Sequence, residues 1–312
     1  MHPHLLNAET RERVLEAIDR LGYQPNLIAR DLRRRKSGLA FVVVPSLSPF
    51  FLEVFRGVER AAREVGYAVL MGHTERDTAR EHLFLDQVAS RRADGVILVT
   101  SAQAGALATR TRTTPPVVAA LEQVEGVGFP TVRVDHVQAS KDATRHLLGL
   151  GHKRIAHIAG PAQSPMAVHR REGFEIAMRE AGLDPLMYPI LHGDFTVRFG
   201  ETAMETLLSR APRPTGVFAG NDEMGVGAIQ TIKRHGLVVG RDVSVIGYDD
   251  QRIASLYEPP LTTIKVPMEE LGYRSMLTLE RILNGAPHEA DIVLPTQLLV
   301  RATTGPVPDE KG

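Results

Sequence analysis

The apolar positions begin with one short helical period and then settle into a long alternation. From Ala8 to Leu21, Val14, Ile18 and Leu21 recur at spacings of four and three, one face of a helix. Asn7 is placed to cap that helix and Gly22 to end it. From Leu39 the period changes. Apolar runs rich in β-branched residues predict buried parallel strands at 39–44, 67–71, 95–99 and 116–120, with an edge strand at 131–134. Between them, Phe51, Phe55, Val58, Ala62 and Val65 have helical spacing, as do Leu83, Leu85 and Val88. After Asp135 the alternation restarts. It predicts helix 138–150, strand 154–159, helix 166–181, a strand near 187–191, helix 196–210, strand 216–219, helix 222–235 and strand 243–247. Helix 268–284 and strand 291–294 close the series, and the last residues read as a frayed tail. Alternation of this kind argues for parallel sheets covered by helices on both faces. Its repetition predicts an α/β protein of two doubly wound parallel-sheet lobes behind a short N-terminal helical arm.

The two regimes meet between Tyr23 and Pro45. Pro25 stops the preceding helix, and Asn26 can cap a very short one over PNLIARDL. A helix of that length is marginal alone in water, so it should form only when something docks on it. Four consecutive cations follow, Arg33, Arg34, Arg35 and Lys36. They suit a partner that carries phosphates, or else a solvated basic linker.

Composition narrows the class. The 312 residues, 43% hydrophobic and 24% charged, suit two globular lobes of roughly 130 to 150 residues each. Net charge is zero, yet residues 1–38 hold eight Lys and Arg against five Asp and Glu. The positive excess therefore sits in the arm, where a nucleic-acid contact would want it. With no Cys, a disulfide framework, a thiol nucleophile and a thiolate metal site are excluded. No apolar run approaches a membrane span and no secretory layout opens the chain, so a cytoplasmic protein without a membrane partner is expected. Catalytic signatures are absent: no G-x-S-x-G, H-E-x-x-H or G-x-x-x-x-G-K-[ST], and no G-x-G-x-x-G after a strand. Neither an enzyme nor a cofactor is expected.

Ligands of open α/β sheets sit at the carboxyl ends of the strands, and with two facing lobes the natural site is the cleft between them. After the first strand, Ser48 and Phe50 reach that position, with Phe51 better suited to the core. His73 and Thr74 follow the second strand. Asn221 and Asp222 open the helix after 216–219. Asn221 has donors and acceptors for a hydroxylated ligand, whereas Asp222 serves equally well as a helix cap. Asp249 ends strand 243–247, as a ligand or in an Asx-turn. Asp135 fits either the cleft or a hinge turn.

One family gathers these pieces. The segments PNLIARDL, SPFFLEVFRGVERAAREVGYAVL, RRADGVILV, LGHKRIAHIAGP, GVFAGNDEMGVGAI, DVSVIGYDD and PPLTTIKVP, in that order, resemble the lactose-repressor (LacI/GalR) family of bacterial transcription regulators. Family members open with two further helices that read the major groove, and the chain starts at roughly the third helix of that arrangement.

The resemblance implies periplasmic-binding-protein-like lobes of type I. Residues 1–38 would hold the arm, with a hinge helix at about 26–34. The N-lobe would comprise about 39–137 plus 266–290, and the C-lobe about 138–265 plus 291–305. It implies a homodimer whose paired hinge helices enter the minor groove of operator DNA. Leu32 would be wedged between base steps, Asn26 and Ala29 would face the groove, and Arg33 to Lys36 would touch phosphates. It also implies that Arg170 forks onto the effector and that Asp194 and Phe195 form a cleft wall. A sugar or polyol suits Arg170, Asn221 and Asp249, while Phe50 and Phe195 would also hold a purine between rings. A solute-binding protein shares the lobes, but should carry a signal peptide and lack the basic hinge. A sensor of the same fold without DNA binding is the other alternative.

Overall fold

The computed structural model describes residues 8–21, 36–75, 77–90, 92–99, 116–123 and 128–307. The expected hinge contacts Asn26, Ala29, Leu32, Arg33, Arg34 and Arg35 lie outside those residues. Helix α1 spans Ala8–Leu21, where the four-and-three spacing places it.

Two six-stranded sheets form the body. The first is built from β1 (Leu39–Val44), β2 (Ala68–His73), β3 (Gly95–Val99), β4 (Val117–Leu121) and β5 (Thr131–Val134), joined late by β11 (Asp291–Leu294). Its order is β11-β5-β4-β3-β1-β2, parallel throughout. The second contains β6 (Ile155–Ala159), β7 (Leu191–His192), β8 (Gly216–Ala219), β9 (Ser244–Asp249), β10 (Thr262–Lys265) and β12 (Gln297–Leu299), ordered β12-β10-β9-β8-β6-β7. Among the described strands, only β12 runs antiparallel.

The helices are α2 (Pro49–Val65), α3 (Thr78–Ala89), α4 (His136–Gly149), α5 (Pro165–Glu180), α6 (Val197–Leu208), α7 (Asp222–Arg234), α8 (Arg252–Leu256) and α9 (Met268–Leu283). Strands β3, β4 and β6 are buried along their whole length, as continuous apolar runs require when helices cover both faces.

Three apolar clusters follow from two sheets. Val43, Val96 and Leu98 bury one face of the first sheet under α3. Val217, Val245 and Ile229 bury the outer face of the second. The third cluster runs from Val42 and Ile97 through Val134, Val266 and Leu294 to Phe174, Phe218 and Tyr248. It therefore joins both lobes where the chain crosses between them.

The chain crosses three times, at 134–136, 265–268 and 295–296. The last crossing corrects an expectation. Asp291–Leu294 does not join the second lobe but pairs in parallel with β5, Asp291 opposite Thr131. β5 is thereby an interior strand rather than an edge. Arg133 on β5 grips Asp291 with two hydrogen bonds of 2.9 and 2.8 Å, which favours this register. Only β12 continues into the second sheet. The apolar pattern does not predict strands β10 and β12. TTIK and QLL are too short and too polar to stand out as apolar runs.

Candidate functional site

The space between the lobes is an inner chamber of about 190 Å³ that opens into an outer groove of about 950 Å³. From the first lobe, the turn after β1 brings Ser46, Ser48, Phe50 and Phe51 to the chamber wall. Ser48 is the N-cap of α2 and Pro49 its first residue, but the Ser48 hydroxyl makes no capping bond and is free for a ligand. Phe50 and Phe51 meet edge to face at 4.9 Å. Both are core residues as well as wall, so Phe51, though better suited to the core, also lines the chamber.

From the second lobe comes a buried charge constellation. Arg170 lies on α5 in register with Ala167, Phe174 and Ala177, the helix's buried stripe. Its Nη2 donates to Asp249 Oδ1 at 2.9 Å, and its Nη1 to the Gly220 carbonyl. The guanidinium carbon stands 3.8 Å over the Tyr248 ring. Nε is buried without a partner among the described residues. Asp249 is buried too, and burial pushes its carboxyl up to about 6 against the pull of Arg170. Arg170 is thus not an open fork awaiting a ligand. The protein's own acceptors take two of its nitrogens and fix its plane, and both it and Asp249 line the chamber.

Behind this pair, Tyr248 OH contacts His136 Nδ1 at 2.9 Å. His136 is held neutral chiefly by burial, and it begins α4 at the first crossing. A buried polar chain therefore runs from the chamber to the hinge.

The cap of α7 falls to Asn221 rather than to Asp222. Asn221 is the N-cap of α7: its Oδ1 accepts from Met224 N–H at 2.9 Å, and its Nδ2 donates to the Phe195 carbonyl at 3.0 Å. It still lines the chamber. Asp222 does not. Fully buried, it accepts from Gln251 N–H at 2.6 Å and from the Thr263 hydroxyl, tying the loop after β9 to β10. Its carboxyl is raised well above the usual range, first by burial and then by the charge of Asp249. Asp222→Ala should strand both donors, at roughly 1–3 kcal/mol each. Thermal melting should fall accordingly, while a surface control such as Glu172→Ala leaves it unchanged.

Two other expected residues stand outside the chamber. His73 ends β2, the outermost strand of its sheet, and is not in the chamber wall. Asp135 is exposed and caps α4, accepting from Gln138 N–H at 2.8 Å. Phe195 is in the wall, at φ 68°. Asp194 beside it accepts from the Thr196 backbone and hydroxyl at 3.0 and 2.7 Å, which shapes that turn. Lys36, expected on a phosphate, donates to Asn284 just past α9. Next to it, Asp94 accepts from Ser37 N–H and Gly38 N–H at 2.7 and 2.9 Å, pinning the start of β1.

Sequence reasoning missed Glu223, Gln251 and Met166 in the wall, and Glu122 behind it. Glu122 follows β4 directly, so the strand-end rule applied there would have found it. Five described non-glycine residues have positive φ: Leu121 at the end of β4, Asp249 and Asp250 at the end of β9, Phe195 in the turn before α6, and Glu75 past β2.

Two parallel-sheet lobes, three crossings and a cleft walled by strand ends define a two-lobed small-molecule receptor of the periplasmic-binding-protein type I architecture. A family model described as "Periplasmic binding proteins and sugar binding domain of LacI family" matches residues 36–302. The chain belongs to the LacI family of transcriptional regulators. It is 36% identical over 311 residues to the HTH-type transcriptional repressor CytR of Escherichia coli K12, covering 99% of this chain and 91% of that one. It is 37% identical over 265 residues to the ribose operon repressor of the same organism, covering 83% and 80%. Among solved structures, the Lac repressor dimer bound to operator and the anti-inducer ONPF superposes with a TM-score of 0.87 at 28% identity, covering 96% and 91%. The protein is accordingly a repressor with a ligand-binding sensor domain, and its relatives are regulators rather than enzymes. No described helix is long and apolar enough to cross a membrane.

Proposed function

We propose that the effector is a sugar or polyol held in the inner chamber, and that its binding sets the grip of the hinge on operator DNA. The observation that carries this reading is the fixed Arg170–Asp249 pair in the chamber wall beside Asn221 and the Phe50 ring. Adjacent hydroxyls both donate and accept, and such a wall offers both roles in a set geometry. The face of an aromatic ring supports the apolar face of a sugar ring. The ribose operon repressor, by its name, regulates genes for a sugar. The effector residues are Ser48, Phe50, Arg170, Phe195, Asn221 and Asp249. His73, Asp135 and Asp222 serve the fold around them.

Assembly and output follow the family. The protein acts in the cytoplasm as a homodimer. Asn26, Ala29 and Leu32 of each chain enter the minor groove, with Arg33, Arg34 and Arg35 on phosphates. An effector that prefers one lobe arrangement shifts the population toward it and so changes the spacing of the two hinges. A purine is the second reading, favoured by three rings, Phe50, Phe51 and Phe195, around one small chamber.

Thermal melting against aldoses, alditols and purine nucleosides separates these. A sugar or alditol present at a hundredfold over its Kd should stabilise the protein by about 2.7 kcal/mol. A response confined to nucleosides would select the purine reading. No response to any sugar or alditol would contradict the proposal.

A further inference from the structure

Glu122 stands where the first lobe meets the second. It follows β4 directly, and Leu121 before it takes φ 75°, a left-handed turn that sends the chain out of the sheet. The Glu122 side chain does not reach solvent. Only 5% of the residue is exposed, and among the described residues neither carboxyl oxygen has a hydrogen-bond partner. What acts on it belongs to the other lobe, namely the Met166 N–H in the first turn of α5 and the charge of Arg170. Both favour the ionised form, but neither completes a bond to it. A buried carboxylate without hydrogen bonds is costly, whereas a neutral carboxyl in the same place is far less so. Separation of the lobes would return the group to water.

The surrounding charges are already committed. On β5, Arg133, opposite Leu121 in register, is bound to Asp291. On α5, Arg170 is bound to Asp249 of β9. On α4, His136 is neutral through burial. None of them is left to pair with Glu122 among the described residues.

We propose that Glu122 is a proton-operated latch between the lobes, buried against α5 when protonated and drawn into water, with the cleft opening, when ionised. The sign follows from its environment. Burial raises the carboxyl to about 7 in the arrangement described, and it returns to the ordinary carboxylate range once the lobes part. The closed form therefore binds the extra proton. Closure is favoured below about pH 7 and loses that support as pH rises through 7. Between pH 8 and pH 6 the closed-to-open ratio should rise about tenfold, the change expected for one such group.

The chain has no cysteine, so Arg56→Cys on α2 and Arg198→Cys on α6 give one spin-label position on each lobe. Labelled chains are diluted into unlabelled protein, so that only distances within one chain count. On going from pH 8 to pH 6, pulsed electron resonance should show the shorter interlobe distance gaining population. Glu122→Gln, and independently Glu122→Leu, should hold the short distance at both pH values. Unchanged distances in the parent chain would overturn the proposal. So would a pH shift that persists in both variants, which would belong to histidines instead. No effector is needed, so this result stands apart from the identity of the ligand.

Discussion

Arg170→Ala is expected to remove effector binding and to destabilise the fold at once. The substitution leaves Asp249 buried without its cation, and the Gly220 carbonyl without its donor. Breaking a buried pair from one side costs roughly 3–5 kcal/mol. For lobes of this size that lowers the melting temperature by on the order of 10 °C. Binding should fall about a hundredfold or more, as charge-assisted hydrogen bonds of roughly 2–3 kcal/mol disappear. The paired change Arg170→Met/Asp249→Leu separates the two effects. With no charge left unpaired, it should recover part of the stability and none of the binding. Calorimetric unfolding with ligand titration checks both. An unchanged melting temperature in Arg170→Ala would mean that the pair is not buried as described.

The second large effect lies in the first lobe. Helices α2 and α9 approach backbone to backbone, because Gly57 and Gly272 face each other's chains. A Cβ on Gly57 would sit 1.8 Å from the Glu269 carbonyl oxygen, and one on Gly272 would sit 1.9 Å from the Val54 oxygen. No side chain can rotate away from such a contact. Gly57→Ala should force the helices apart and cost roughly 3 kcal/mol or more. Gly66→Ala is the control: nothing lies within 4 Å of its Cβ, and its cost is limited to its left-handed φ of 78°. Since α9 begins at the second crossing, the Gly57 change should also loosen the hinge. Urea unfolding of the two variants gives the comparison, and equal midpoints would refute the close approach.

The lobes were legible because parallel strands buried on both faces leave continuous apolar runs, such as GVILV and IAHIA. The third crossing was not. Strand 291–294 carries alternating exposure and could pair with either sheet, and the Arg133–Asp291 contact that favours its place spans 158 residues. At the site, the residue types were legible and their parts less so. Asn221 and Asp222 are adjacent, and either can cap a helix. Only the positions of Phe195, Thr263 and Gln251 decide which one does. Arg170 carried a readable signal: it occupies a core position between Ala167 and Phe174, where a surface arginine would not stand. Its partner Asp249, 79 residues away, was visible only as a strand end. The hinge contacts remain at the level of the family resemblance.

We propose the Arg170–Asp249 constellation as the effector's grip. Arg170→Lys tests it with little damage to the fold, since a lysine keeps a cation beside Asp249 but lacks the planar fork and the stacking on Tyr248. Isothermal titration of the stabilising sugar or alditol into both proteins is the direct measurement. The expected result is clear binding by the parent chain, and at least a tenfold weaker Kd in Arg170→Lys with both proteins folded. Equal affinity in the two would place the effector elsewhere and contradict the assignment of the site.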